Sequence, residues 1–339
     1  MKVIHVESLY SDYWLYNIMY GCKPYQRSRE AALISDALEA IRSSVVPHDR
    51  PLQVLELFSG KHTLLRSLQS YGSRFNQPTN YVTVDGLHSE DGELPQFDAY
   101  APGMASILDG RWYDFVLLPF FAINATGPLH GSHCSIPDID ELKTLFQNVA
   151  TLCGVNSSKK KSAFKKAKQQ SALYVNYEPY PTPEIIEDLC LDSTEWSSQY
   201  LQSDDPLLTE HGIKDKDDCT WLLEYRGVNS WLRESSVLET RYPDGIRLIN
   251  KSHSDKPVVV FQISQPVFRK FWTEGQIASA LKTSGFYDIR FCSGVNQPIV
   301  GGDCDLLMYY LNGVETADTV NSESINAEFM LSNYLTALI

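Results

Sequence analysis

Two nucleotide-binding signatures are missing from this 339-residue chain. Without a GxGxxG turn there is no support for the close backbone approach that a dinucleotide pyrophosphate needs, and without GxxxxGK[ST] there is no P-loop. Basic residues are also short: 29 Lys and Arg against 42 Asp and Glu give a formal charge of −13, which disfavours a surface built to grip nucleic-acid phosphates. The seven cysteines (Cys22, Cys134, Cys153, Cys190, Cys219, Cys292 and Cys304) are odd in number and never spaced as CxxC. That usage fits a reduced compartment and excludes a disulfide framework or a cysteine zinc site. The eight histidines form no HExxH or other metal spacing, and no GxSxG appears, so no metal and no serine triad is expected. The start lacks the charged leader and cleavage site of a secretion signal, and no window holds the roughly 20 apolar residues of a membrane span. The expectation is a soluble, cytoplasmic protein.

What is present is a 43% hydrophobic chain, enough for a sizeable core and a second subdomain. Residues 28–41, "SREAALISDALEAI", repeat apolar positions at helical spacing. Then come a strand "LQVLELF", a helix "HTLLRSLQSYG" closed by Gly72, and a second strand "NYVTVDG". A third strand is expected around "PQFDAYAP". The fourth, "WYDFVLLPFFAIN", is too continuously apolar for a sheet with one wet face, and "SALYVNYEPYP" is expected as a fifth strand. Alternating strands and helices of this kind predict an α/β, doubly wound sheet. The lysine-rich segment 159–168 reads as a solvated insertion or exposed helix. From Cys219 the texture changes to β-rich stretches broken by "PDG" and "HSDKP", the pattern of antiparallel strands. A helix "TEGQIASALKTSGF", with Thr273 as N-cap and Gly285 as stop, then leads to the strand "YDIRFC", and "CDLLMYYLNG" is taken as the last strand. No internal repeat is evident.

Open α/β sheets bind ligands outside the carboxyl ends of their strands. There the first strand ends in Glu56, Phe58 and Gly60, and the second in Asp85. A single glycine permits close backbone approach, while a carboxylate at the second strand end can accept both hydroxyls of a ribose and would repel a ribose phosphate. The pattern predicts a nucleoside ligand without phosphates.

"VLELFSGKHTLL" resembles the first motif of class I S-adenosylmethionine-dependent methyltransferases, "YVTVDG" their second, "YDFVLLPFFAIN" their fourth-strand motif, and "FRKFWTEGQIASALKTSGFYDIRF" the late helix-turn-strand of the small-molecule members. The matches run in order over most of Leu52 to Gly127 and Val267 to Phe291, with a turn that lacks the first and third glycines of the commonest pattern. The resemblance implies a Rossmann-like fold and S-adenosyl-L-methionine as cofactor. It assigns Glu56, Phe58, Gly60 and Pro119 to the cofactor loops, Asp85 to the ribose and Asp98 to the adenine, and sets Asn124 near the reacting sulfonium. It also implies an N-terminal helical lid, in which Tyr16 and Tyr20, one turn apart, would offer aromatic faces to the cation. The corresponding boundaries are 1–50 for the lid, 51–218 for the cofactor domain, 219–272 for an antiparallel β insertion that covers the acceptor or forms a homodimer, and 273–339 for the return to the main sheet.

Methyl transfer from a sulfonium is an in-line displacement that chiefly requires positioning and a deprotonated nucleophile. Tyr177, Glu178, Glu224, Arg226, Arg241 and Asp244 are the candidate bases or orienting groups, with Asn124, Tyr177 and Glu178 placed at the reaction centre. The expected activity is methyl transfer to a small molecule, without nucleic-acid or membrane partners. The fourth motif reads "LPFF" rather than the PP[YF] type that holds a flipped base. Two alternatives stay open: a cyclase or lyase in which the cofactor's α-amine attacks its own γ-carbon to release methylthioadenosine and a cyclic amino acid, and a non-catalytic binding domain.

Overall fold

A computed structural model describes residues 1–20, 30, 33–34, 51–60, 79–86, 97–108, 113–130, 133–153, 171–191, 196–213, 219–253, 255–293 and 333–338. The chain forms two compact units, one from Met1–Gly21, His130–Cys134 and Pro181–Phe271, the other from Cys22–Leu129, Ser135–Tyr180 and Trp272–Ile339.

The larger unit is built on a six-stranded sheet. Numbered along the whole chain, its strands are β2 (Leu52–Leu57), β3 (Thr79–Val84), β4 (Phe115–Leu118), β7 (Ala172–Tyr177), β15 (Tyr287–Ser293) and β16 (Asn333–Leu338), in the spatial order β15-β16-β7-β4-β2-β3. β3, β2, β4 and β7 are parallel, whereas β16 runs antiparallel between β7 and β15. The chain therefore steps outward one way from β2 to β3 and the other way from β4 to β7, which makes the β2/β4 boundary the topological switch point. This is the expected doubly wound, Rossmann-like sheet. Every residue of β4 and β7 is buried, as their unbroken apolar runs require when both faces are covered.

The two faces differ in what covers them. Val116, Leu118, Leu173 and Val175 share a core with Leu142, Leu145, Phe146 and Val149 of α3 (Ile139–Leu152) and with Ile277, Ala280 and Leu281 of α6 (Glu274–Thr283). α6 starts at Thr273, whose hydroxyl accepts from the Gln276 N–H in a capping box, and Gly285 follows it at φ +98°. On the opposite face the Tyr174 hydroxyl donates to Glu30 at 2.9 Å. Glu30, Leu33 and Ile34, the described part of the helix expected over 28–41, are helical and buried. The helix expected at 62–72, the lysine-rich segment and the strand expected at 304–313 lie outside the described residues.

One expectation fails. Residues 97–102, the described part of the third expected strand, form a turn that leads into a 3-10 helix at Met104–Leu108. Asp98 is the cause: its carboxylate accepts from the Tyr100 N–H and its carbonyl from the Ala101 N–H, the local bonding by which aspartate turns a chain. Asn148 of α3 clamps the turn by donating to the carbonyls of Ala99 and Ala101 at 2.8 and 2.9 Å.

The smaller unit has two sheets. In the five-stranded one, β1 (Lys2–Val6) lies parallel to β13 (Pro257–Ile263), followed by antiparallel β12 (Ile246–Asn250), β9 (Trp221–Tyr225) and β8 (Ser197–Leu201). The other contains β10 (Val228–Leu232), β11 (Val237–Arg241) and β14 (Val267–Lys270), all antiparallel. The "PDG" turn passes the chain from one sheet to the other. Gly245 there has φ +68°, and a Cβ would stand 2.7 Å from the Phe261 carbonyl oxygen, so no larger residue fits. β5 (Leu129–His130) and β6 (His133–Cys134) form a short hairpin of their own. This unit also holds α4 (Pro183–Cys190) and α5 (Pro206–Glu210).

Helix α1 (Tyr13–Tyr20) belongs to the smaller unit as well. The Asp12 carboxylate takes the Leu15 N–H with one oxygen and contacts His211 Nε2 at 2.7 Å with the other. The rings of Tyr16 and Tyr20 stack at 5.7 Å, Tyr16 meets Tyr10 at 5.2 Å, and the Tyr20 and Tyr242 hydroxyls are hydrogen-bonded. Burial raises the pKa values of Tyr10, Tyr20 and Tyr242 above the ordinary phenol value, with neighbouring tyrosines adding to the rise at Tyr10 and Tyr242. A phenol pKa raised by folding stabilises the protonated fold below pH about 10, and that stabilisation is lost as pH climbs above it. The urea midpoint is accordingly expected to fall above pH 10, and Tyr242→Phe to make that fall shallower; equal slopes for the two proteins would contradict the assignment.

Candidate functional site at the carboxyl ends of the parallel strands

In an open α/β sheet ligands bind outside the carboxyl ends of the strands at the switch point, here beside the segments that follow β2, β3 and β4. The β2 loop reaches across to β3: the Ser59 N–H donates to the Val84 carbonyl at 3.3 Å, and the Gly60 N–H donates to Asp85 Oδ2 at 3.0 Å. Gly60 has φ +57°, and nothing lies within 4 Å of where its Cβ would be. The backbone is therefore open at this glycine. Asp85 is half-buried.

Strain marks the same place. Phe58, Phe120 and Phe121 adopt φ values of +59°, +55° and +56°, a left-handed conformation that is costly for a bulky residue and that collects at functional sites. They follow β2 and β4, the two strands that flank the switch point. Phe121 is held there by Asn176, whose Oδ1 accepts the Phe121 N–H at 3.0 Å. The Phe58 ring lies 6.0 Å from that of Tyr100, and the Tyr100 hydroxyl is tied to Thr126.

The sequence-derived residues divide by what the fold asks of them. Glu56 is fully buried and accepts the Tyr81 hydroxyl at 2.6 Å, while burial, and then the Glu56 charge, push the Tyr81 phenol pKa up. Phe58, Gly60, Asp85 and Pro119 line the ends of β2, β3 and β4. Asp98 gives both carboxylate oxygens to backbone, one to Tyr100 and the other to the Leu129 N–H at 3.2 Å, so it shapes the turn. Tyr16 and Tyr20 lie in the smaller unit, with the aromatic partners given above.

Asn124 and Glu178 meet in the structure. Asn124, on the short helix α2 (Ala122–Ala125), accepts the Glu178 N–H at 2.8 Å and donates to the Glu178 carbonyl at 3.4 Å. It thereby fastens the end of β7 to the segment after β4. Tyr177 is buried and its hydroxyl donates to Glu274 at 2.8 Å. Arg226 pairs with Asp244 at 2.5 Å and Arg241 with Glu239 at 2.6 Å, both in the smaller unit.

Sequence reasoning passed over Asn176, Tyr100, Phe120, Phe121 and Trp272, whose indole N–H donates to the Ile123 carbonyl at 2.9 Å. Asn176 carried a readable signal, a lone amide in a fully buried strand, because buried polar groups require partners. Among the described residues no group of three or more His, Cys, Asp or Glu could hold a metal ion, and no helix is long and apolar enough to cross a membrane.

No family model matches the sequence, and no curated protein matches it. The solved structures similar to the chain include DesVI from Streptomyces venezuelae (15% identity, 82% of this chain and 91% of that chain, TM-score 0.45). Another is CalS10, an amino pentose methyltransferase from Micromonospora echinaspora with its cofactor bound (11% identity, 95% and 96% coverage, TM-score 0.42). A third is the sugar N-methyltransferase KedS8 from a Streptoalloteichus species (14% identity, 84% and 88% coverage, TM-score 0.47). With all three TM-scores below 0.5 the likeness assigns no activity, which has to come from the residues themselves.

Replacing Asn176 with Leu leaves the Phe121 N–H without its acceptor in a strained backbone. The expected cost is about 1–3 kcal/mol of unfolding free energy, read by urea denaturation, and a loss under about 0.3 kcal/mol would show that Asn176 does not hold Phe121.

Proposed function

We propose that the larger unit binds S-adenosyl-L-methionine and transfers its methyl group to a small-molecule acceptor. The observation that carries this reading is the Gly60–Asp85 hydrogen bond at the switch point, which sets a bare backbone turn beside a half-buried carboxylate. The residues present suit that cofactor. Asp85 can take the ribose hydroxyls, Gly60 permits close approach, and the Phe58 and Tyr100 rings provide aromatic surface nearby. Asp85 at the end of β3 would repel a ribose phosphate, which supports a nucleoside over a nucleotide. The ordered motifs that resemble the class I methyltransferases support the same choice.

Bound there, the cofactor supplies a methyl group on a sulfonium, already activated for displacement. The chain's part is positional. Phe120 and Phe121, held by Asn176, shape the wall at the end of β4, and Asn124 fixes the end of β7 against α2. Glu178, buried at that end, is the group we assign to orient the acceptor and receive its proton. Tyr177, through its bond to Glu274, ties β7 to α6.

Calorimetry with S-adenosylmethionine is expected to show binding that Asp85→Ala weakens about tenfold or more, the loss of a charge-assisted hydrogen bond of about 1.5–3 kcal/mol. Unchanged affinity in the variant would remove the basis of the reading. Mass analysis of the incubated mixture then tests the chemistry: adenosylhomocysteine formed only with an added acceptor supports methyl transfer, and methylthioadenosine formed without one replaces it with cyclisation.

A further inference from the structure

The smaller unit contains a thiol–imidazole pair that the proposed chemistry does not use. Cys219 Sγ lies 3.7 Å from His253 Nε2, within hydrogen-bond reach for sulfur. The pair follows from strand register. β9 and β12 are antiparallel with Trp221 opposite Asn250, so Cys219, just before β9, and His253, just after β12, come to the same end of the sheet.

Four hydrogen bonds lace that end together. The Lys251 N–H donates to the Thr220 carbonyl at 2.9 Å, and the Thr220 N–H donates to Ser252 Oγ at 3.0 Å. The Ser252 N–H donates to Asn250 Oδ1 at 3.1 Å, and the His253 N–H to the Asn250 carbonyl at 3.2 Å. Asn250 is itself buried, at 4% exposure. The sulfur and the ring are thus held by backbone on both sides, not by the chance meeting of two mobile side chains. Cys219 is 5% exposed and His253 is exposed, so the thiol is reached past a basic ring at the surface. By contrast, Cys153 is packed into the apolar core of the larger unit.

We infer that Cys219 is a reactive thiol primed by His253, which takes a low-molecular-weight disulfide as its reaction partner. The imidazole accepts the thiol proton, and a thiolate beside an imidazolium is the nucleophilic form of cysteine. Sγ attacks one sulfur of the disulfide, a new Sγ–S bond forms as the old S–S bond breaks, and the departing thiolate takes the proton from the imidazolium. Electrons and atoms balance without a further oxidant. The product is a mixed disulfide on the smaller unit.

The test uses the full chain with oxidised glutathione at neutral pH, followed by intact-mass and peptide analysis. One adduct is expected, on Cys219, absent in Cys219→Ser and formed at least tenfold more slowly in His253→Gln. A second comparison needs no variant: Cys219 is expected to react faster in the native chain than in urea. An adduct confined to other cysteines, an equal rate in His253→Gln, or a native Cys219 slower than the unfolded one would each overturn the proposal.

Discussion

The hydrogen bond from the Gly60 amide to Asp85 joins the loop after β2 to the end of β3. Strand pairing fixes β2 beside β3 in parallel register, with Leu57 opposite Val84, so the loops that follow emerge side by side. A main-chain amide and a carboxylate then meet only if the β2 loop turns back sharply, and that turn uses positive φ at both Phe58 and Gly60. The glycine accepts this without penalty, while the phenylalanine does not. The proposed binding role falls at this point, where the carboxylate accepts the loop amide beside an open stretch of backbone.

The strain at Phe120 and Phe121 has the same logic on the neighbouring strand. β4 is four residues long and wholly buried, so the chain must leave the sheet abruptly, and two consecutive left-handed residues do this before α2 begins. Such a backbone persists only where its surroundings over-determine it. Here Asn176 takes the Phe121 amide, Asn124 binds both backbone groups of Glu178, and Trp272 reaches the Ile123 carbonyl. Asn176 and Asn124 thus hold the geometry at the ends of β4 and β7. That suits a reaction whose electrophile arrives activated and whose catalyst mainly orients the reactants.

Much of this was legible in the sequence, for physical reasons. β4 announced itself because a strand buried on both faces cannot alternate, and α6 because Thr273 offers an N-cap and Gly285 a stop. Gly60 and Asp85 could be paired because a ligand site at strand ends draws on successive loops. The rest depended on long-range or conformational facts that periodicity does not carry. Residues 97–102 are expected in a strand, yet the Asp98 carboxylate and the distant Asn148 make them a turn. The tail strand β16 takes its place from pairing with β7 and β15, elements far away in the chain. Left-handed phenylalanines leave no mark in the sequence. The position of Asn124 after the fourth strand was legible, whereas its hydrogen bonds to the backbone of Glu178 depend on the pairing of distant segments.

Hydrogen–deuterium exchange with and without S-adenosylmethionine tests the central claim most directly. The account predicts slowed exchange in peptides covering 54–60, 83–86 and 118–124, because the ligand would cover the amides at the ends of β2, β3 and β4. Unchanged exchange in all three under saturating ligand, or protection confined to other segments, would contradict it.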